Sequence, residues 1–521
     1  MSEPITRRKF LQNAATTATA VLSMPVFLEA CGASINTAGG TMPSELSKGK
    51  NPFIDIFGID DGTLRRTLAT LSARGADHAD LYFQRSMSNS LRYQDGIVSQ
   101  ASTSIDLGVG LRCVVGDQTG YAYTEELTES AMHAAAQTAA LIAHGKAVPG
   151  PQQIRHRKLG GGFYSTELPW RDVGIDKKLP IVRRVAELAE RRDPAIKKVE
   201  VRWSDGESRV MIATLDGNVV YDERPMASMS VTVTAEKNGK THSNRANIAG
   251  RQGLEFYTEA QLELVTKQAV DRTMILFEAG RPPAGEMPVV LAAGPSGILL
   301  HEAIGHGMEA DFNRKGVSIY SEMMGKKVAE DFVTIVDDGT LEFERGAINV
   351  DDEGKPAQRT VLVENGHLRT YMHDQISAKQ YGVKPTGSGR RQSFRHAPMP
   401  RMRCTFMEDG PHSREEIIAS VKNGILAETF TNGQVQIGAG DYTFYIKNGY
   451  RIEDGKVTEP IKDINIIGNG PETLRKITMA AADGHLDTGG WTCGKSGQRV
   501  PVSQGIPTVL VSALTVGGEN A

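Results

Sequence analysis

The chain has 521 residues, enough for more than one hydrophobic core, and its 59 Lys+Arg stand against 62 Asp+Glu. That balance leaves no basic stripe, so nucleic acid is not an expected partner. Four cysteines (Cys31, Cys113, Cys404 and Cys493) are too few for a disulfide framework, and no C-x-x-C pair points to thiol redox chemistry.

The N-terminus reads as an address. Thr6-Arg7-Arg8-Lys9-Phe10-Leu11 is a twin-arginine pattern, and the small apolar stretch from Ala14 to Leu28 is broken by Pro25 and short for a membrane span. Residues 1–31 are therefore expected to be a Tat-type export signal, which makes the protein periplasmic. Leu28-Glu29-Ala30-Cys31 resembles a lipobox, which would turn Cys31 into a lipid anchor. Residues 32–52, rich in Gly, Ser, Thr and Lys, read as a spacer.

Periodicity then sets out an α+β chain. Leu64, Leu68 and Leu71 mark a helix that stops near Gly75, and apolar/polar alternation from Ala79 to Tyr123 predicts strands broken at Asp95-Gly96 and Gly116-Asp117. Met132, Ala135, Ala139 and Ile142 predict a helix ended by Gly145, and residues 146–172 a long connection. A helix carrying Ile181, Val185 and Leu188 ends before Asp193-Pro194. Hairpins turn at Asp216-Gly217 and Asn238-Gly239, and Thr258-x-x-Gln261 opens another helix. Arg281-Pro282-Pro283-Ala284-Gly285 separates an N-terminal domain (53–284) from a C-terminal one (285–521).

The second domain starts with a buried strand, Met287 to Leu291, and Gly294-Pro295 begins a helix. After it the chain is expected to be mostly β, with turns at Asn365-Gly366, Asn448-Gly449 and Asp454-Gly455. Helical stretches are expected at Arg414 to Lys422 and Pro471 to Ala482. The fold class is thus α+β, two domains of mostly antiparallel sheet with helices.

Chemistry concentrates in His301-Glu302-Ala303-Ile304-Gly305-His306. Histidine and carboxylate are what a Lewis-acid metal and a general base require. The spacing is one residue longer than H-E-x-x-H, so a regular helix would splay the two imidazoles about 140° apart. Gly305 offers a π-bulge or a break that would bring them together. Zinc is the default ion for such ligands, and a catalytic site keeps three protein ligands. The residues leave the third open: Asp351-Asp352-Glu353, Glu309, Asp311 and the glycine-flanked Cys493 are all candidates.

The pairing of Leu300-His301-Glu302-Ala303-Ile304-Gly305-His306-Gly307-Met308-Glu309-Ala310-Asp311 with Cys493-Gly494-Lys495-Ser496-Gly497-Gln498 resembles the TldD/PmbA family of metallopeptidases. Asp352-Glu353-Gly354, Pro400-Arg401-Met402, Ile467-Gly468-Asn469-Gly470 and Thr515-Val516-Gly517-Gly518 extend the likeness. It reaches the N-terminal half through Ala79-Asp80 and Gly108-Val109-Gly110-Leu111-Arg112. Where the family tends to read R-M-T-N-T, this chain has Arg401-Met402-Arg403-Cys404-Thr405.

The resemblance implies that His301, His306 and Cys493 bind Zn2+ and that Glu302 is the catalytic carboxylate, which takes a proton from the attacking water. It also implies a peptidase acting on unfolded or extended peptides, working as a homodimer or as a heterodimer with a TldD/PmbA paralogue. Glu309 and Asp311 are candidate partners of a ligand imidazole, and Tyr371, His373 and His396 are candidate oxyanion donors. The alternative is an exported binding or scaffold protein with a structural zinc site, closed by Cys404 or Asp311 as a fourth ligand.

Overall fold

Two long hairpins build the N-terminal half because Asp95-Gly96 and Asn238-Gly239 both adopt left-handed backbone, the pairing that lets strands reverse in two residues. Strands β1 (His78–Gln94), β2 (Ile97–Val115) and β3 (Gln118–Thr124) come first. The short β4 (Arg155–Arg157) follows, then β5 (Ile196–Thr214), β6 (Asn218–Lys237) and β7 (Lys240–Gly250). They form one sheet in the order β3-β2-β1-β5-β6-β4, with β7 also on β6. The computed structural model describes residues 51–143, 150–158 and 161–517. The twin-arginine stretch, Cys31 and Gly145 lie outside the described residues.

Helices cover this sheet in two clusters. The helix Asp61–Ser72, capped by Asp60 accepting from the Thr63 amide, buries Leu64, Leu68 and Leu71 with Met132 of the helix Glu129–Ala140. The helices Ile175–Glu190 and Glu259–Met274 cover the other end. Ile175–Glu190 turns Val182, Val185, Ala186 and Ala189 inward, so the expected Ile181 and Leu188 sit only at the margin of that face.

The C-terminal half opens with β8 (Gly285–Leu291) and the helical segment 295–308, treated below. Strands β9 (Ile335–Asp338), β10 (Arg359–Glu364) and β11 (His367–Leu368) follow, then the pair β12 (Gly389–Arg390) and β13 (Met399–Pro400), and β14 (Cys404–Met407). The helix Arg414–Ser420 carries a reciprocal capping box between Ser413 and Glu416. Next come β15 (Asn423–Gln436), β16 (Asp441–Glu453), β17 (Lys456–Asn469) and β18 (Ile477–Ala480). The chain finishes with β19 (His485–Leu486), β20 (Thr492–Lys495), β21 (Gln498–Pro501), β22 (Ser503–Ile506) and β23 (Val509–Gly517). Pairing runs β17-β16-β15-β8-β23 and closes back onto β17, while β9, β10, β11, β14, β19 and β22 form a second sheet.

Two sequence expectations are corrected here. Asn448-Gly449 is not a turn but lies inside β16, where a Cβ on Gly449 would strike the Leu426 carbonyl of the paired β15. The helix expected from Pro471 to Ala482 ends at Arg475, because Ile477–Ala480 gains more by pairing with β23 than by continuing the coil. No helix among the described residues is long and apolar enough to cross a membrane.

From Asn51 onward the chain forms a single compact unit. Its two halves meet at buried charges. Arg112 of β2 holds Asp80 and Glu353, each at 2.6 Å, and Arg224 of β6 reaches Asp352 at 2.6 Å. Asp351 accepts amide hydrogen bonds from Glu353, Lys355 and Gly389. The Asp351-Asp352-Glu353 run therefore ties the halves together and supplies no metal ligand.

Candidate metal centre

One helical segment changes pitch along its length. It is 3-10 over Pro295–Gly297, α over Ile298–Leu300, π over His301–Gly305 and 3-10 again over His306–Met308. The His306 amide donates to the His301 carbonyl, an i to i+5 bond that widens the turn and puts residues five apart on one face. Ile298, Leu299, Leu300 and Ile304 anchor the segment in the largest core, beside Leu291, Phe444 and Ile506.

Gly305 has an ordinary helical φ of −58°. The π turn expected at Gly305 is present, but it does not draw on the backbone freedom of glycine. Space is the reason: a Cβ at Gly305 would collide with Met402 Sδ. Gly307 meets the Tyr320 ring in the same way, and Gly470 lies against the Ala303 carbonyl. The glycines let neighbouring segments close onto the motif.

Cys493 arrives from the far end of the chain on the β20–β21 hairpin, in register with Val500. Its two-residue turn, Ser496-Gly497, has φ of 49° and 76°, the left-handed pair that a tight hairpin requires. Cys493 Sγ lies 3.5 Å from His306 Nε2, and one ligand atom from each of His301, His306 and Cys493 falls within 4.8 Å of the others. Tetrahedral zinc with bonds of roughly 2.0–2.3 Å would space its ligand atoms about 3.5 Å apart. His301 Nδ1 is also buried with no hydrogen-bond partner among the described residues. The three side chains thus fit a metal of this type.

Behind the ligands sits a buried charge network. Glu309 Oε2 contacts His306 Nδ1 at 2.8 Å, which leaves Nε2 directed at Cys493. Lys495 Nζ bridges Glu309 at 3.1 Å and Asp311 at 2.7 Å, and the Arg401 guanidinium comes within 4.0 Å of Glu309. Arg401 also donates to the Cys493 carbonyl at 2.8 Å. Burial alone would raise the Glu309 carboxyl, but Lys495 and His306 outweigh it and hold the group at about 2. For Cys493, burial favours the neutral thiol, yet His301 and His306 pull it well below the usual thiol range. His306 is the mirror case: burial disfavours its charge, and Glu309 and Cys493 more than reverse this. A thiolate faced by imidazoles is ready for a cation.

Glu302 lies beside these ligands, half-buried, and burial raises its carboxyl above the usual range. A side chain at Gly433 of β15 would come within 3.2 Å of Glu302 Cγ, so this strand passes over the acid. β15 pairs with β8 only through Ile425–Ala427, and beyond that its β8-side edge carries no partner strand among the described residues. Its register with β16 slips between Ala427 and Asn432, the bulging common beside functional sites. Thr429, Phe430 and Thr431 line a cavity of about 440 Å³ together with Leu486 and Trp491.

The other candidates are engaged elsewhere. Asp311 pairs with Lys495 and not with an imidazole, and Cys404 is buried against Gly346, apart from the cluster. Tyr371 donates to the Tyr320 carbonyl, His373 packs on Tyr381, and His396 contacts Ser393. Spacing had singled out neither Lys495 nor Arg401 for a role, because each meets Glu309 only through the fold.

Known proteins match this chain along most of its length. Residues 79–143, 168–277 and 284–518 match the PmbA/TldA metallopeptidase domain 1, central domain and C-terminal domain. The metalloprotease TldD homolog of Haemophilus influenzae is 39% identical over 490 residues, covering 91% of this chain and 100% of that protein. The zinc metalloprotease TldD homolog of Saccharolobus solfataricus is 28% identical over 445 residues, covering 85% of this chain and 97% of that protein. The crystal structure of TldE from Thermococcus kodakarensis shares the fold with a TM-score of 0.66 at 19% identity, covering 88% of this chain and 100% of that one.

Proposed function

The chain belongs to the PmbA/TldA metallopeptidase family and is a peptidase-type hydrolase, and from that premise we propose a zinc peptidase in which Glu302 is the general base. The observation that carries this reading is the convergence of His301, His306 and Cys493 with Glu302 at their side. The name of the Saccharolobus relative and the mixed N/S ligand set both favour zinc. A fourth protein ligand, which a structural site would need, is missing from the cluster among the described residues. That supports catalysis over the scaffold alternative.

A divalent cation held by these three side chains supplies Lewis acidity, polarising a peptide carbonyl and acidifying water. The protein's own groups do the rest. Glu309 fixes the His306 ring and directs its Nε2 lone pair inward. Glu302, its proton affinity raised by burial, accepts a proton from the attacking water and returns it to the leaving amine. Lys495 and Arg401 keep Glu309 ionised, so it does not compete for that proton.

Substrates are unfolded or extended peptides that add to the free edge of β15 by main-chain hydrogen bonds and are carried past Gly433 to Glu302. The enzyme works as a dimer, with itself or with a paralogue. The twin-arginine start supports export to the periplasm, and Cys31 an anchor there.

Two variants test the assignment. Glu302→Ala is expected to retain zinc and lose peptidase activity by about 10²–10⁴-fold, whereas Cys493→Ala loses the zinc. Full activity in the Glu302 variant would overturn the general-base role. Backbone N-methylation of a peptide substrate at alternate residues should raise KM if edge pairing captures it, and an unchanged KM argues against that mode.

A further inference from the structure

A second cavity, about 350 Å³, opens between the N-terminal sheet and the C-terminal half. Six arginines line it: Arg224, Arg251, Arg345, Arg390, Arg391 and Arg499. Three acids line it too, and each is already committed. Asp205 holds Lys178 at 2.7 Å, Glu207 holds Arg171 at 2.8 Å, and Asp352 holds Arg224 at 2.6 Å.

Three of the buried arginines have no such partner. Arg251, Arg345 and Arg390 are 4%, 9% and 3% exposed. Among the described residues none has a carboxylate within 4.0 Å. Among the described residues the Arg251 guanidinium donates only to the Pro225 carbonyl at 3.3 Å, lies over the Tyr164 ring, and leaves its Nε buried without a partner. Arg345 reaches the Trp491 carbonyl and Met226 Sδ, both at 3.3 Å. Arg390 reaches the carbonyls of Met402 at 2.5 Å and Pro501 at 2.8 Å.

A buried charge without a counter-charge is costly, and arginine does not escape by losing its proton. Burial, and then the neighbouring Arg251, pull the Arg345 guanidinium down to about 10. Burial also takes Arg390 down to about 9, although Asp352 opposes it. Both remain charged at neutral pH. Ser86, Ser88, Ser204 and Ser208 complete the walls, the Ser86 and Ser208 hydroxyls already bonded to each other. Forked guanidiniums match a tetrahedral oxyanion.

From this convergence of unpaired, buried guanidiniums on one cavity we propose that the protein binds a phosphate-type oxyanion there, in the seam between its two halves. The site is separate from the peptidase reading and does not depend on it. Its occupant would brace the hairpin that carries Cys493, because Val500 and Pro501 of β21 line the same cavity.

Thermal unfolding of the full chain, with and without metal, tests this. Titrants are inorganic phosphate, pyrophosphate, ADP and citrate, against chloride at matched ionic strength. A saturable rise in melting temperature with phosphate or pyrophosphate is expected. Tighter binding of ADP would assign the site to the phosphoryl group of a larger molecule, and equal or weaker binding to the free oxyanion. Arg251→Gln and Arg345→Gln should each weaken binding at least about tenfold. Should either fail to fold, Arg251→Lys and the rim variant Arg499→Gln serve, each with a smaller loss. No saturable shift beyond chloride, tighter binding of citrate than pyrophosphate, or an equal shift in the variants would overturn the proposal.

Discussion

Glu309 is the residue on which the metal centre's electrostatics turn. Buried, it faces His306, Lys495 and Arg401, and the cations outweigh the cost of its burial. Its carboxyl titrates near 2 in the fold against an ordinary 4.5. The stability it contributes is therefore fully present above pH about 4.5 and is lost as pH falls through about 2. A shift of that size corresponds to about 3 kcal/mol. Urea melts of the metal-free protein should show Glu309→Gln less stable near neutrality, with the gap to the parent narrowing as the pH is lowered from about 5 towards 3. A gap independent of pH would refute the ionic account. Metal titration of the same variant should show affinity weakened about 10–100-fold, because His306 loses the partner that orients it.

At the scale of the element, the π turn carries the site. An i, i+5 pair of histidines points apart on a regular helix and shares one face once the turn is widened. Met402 packs where a Cβ on Gly305 would stand, so the helix and the strand region after β13 are fitted to each other. Gly305→Ala should cost about 1–3 kcal/mol, the usual penalty of overpacking. In a double-mutant cycle by thermal melt, Gly305→Ala should cost less in a Met402→Ala background than in the parent. No loss in the single variant would mean that the helix moves freely against Met402. The sequence signal at Gly305 was legible, but its cause was not, since the atom that demands glycine lies almost a hundred positions downstream.

For the whole molecule, the buried ion network between the halves sets how they unfold. Arg112 is fully buried between Asp80 of β1 and Glu353 of the C-terminal half. Arg112→Met leaves both carboxylates short of a counter-charge and should lower stability by about 3–5 kcal/mol. Denaturant melts would report this, and a change below about 1 kcal/mol would mean that Arg391 and His78 already suffice for Asp80. The same seam holds the arginine-lined cavity, so an oxyanion bound there would act on the same transition.

Local patterns determined much of this protein without tertiary help. The hairpins at Asp95-Gly96 and Asn238-Gly239 were legible because left-handed turn chemistry is written in adjacent residues, and the one at Asp216-Gly217 because Gly217 takes the left-handed position alone. The helices capped by Asp60 and Thr258 carry their start signals in the same way. The motif from His301 to His306 announced metal chemistry by residue type alone. What the tertiary structure decided is whatever depends on partners remote in sequence. It brought Cys493 to within 3.5 Å of His306. It chose Glu309 over Asp311 as the ring's partner, and it sent Asp351-Asp352-Glu353 to the seam between the two halves. It also overrode local preference at Asn448-Gly449 and after Arg475, where sheet pairing outweighs turn and helix propensity. Backbone conformation is set largely by neighbours in sequence, whereas burial and counter-charge are set by neighbours in space, and the chemistry of this site depends on the second.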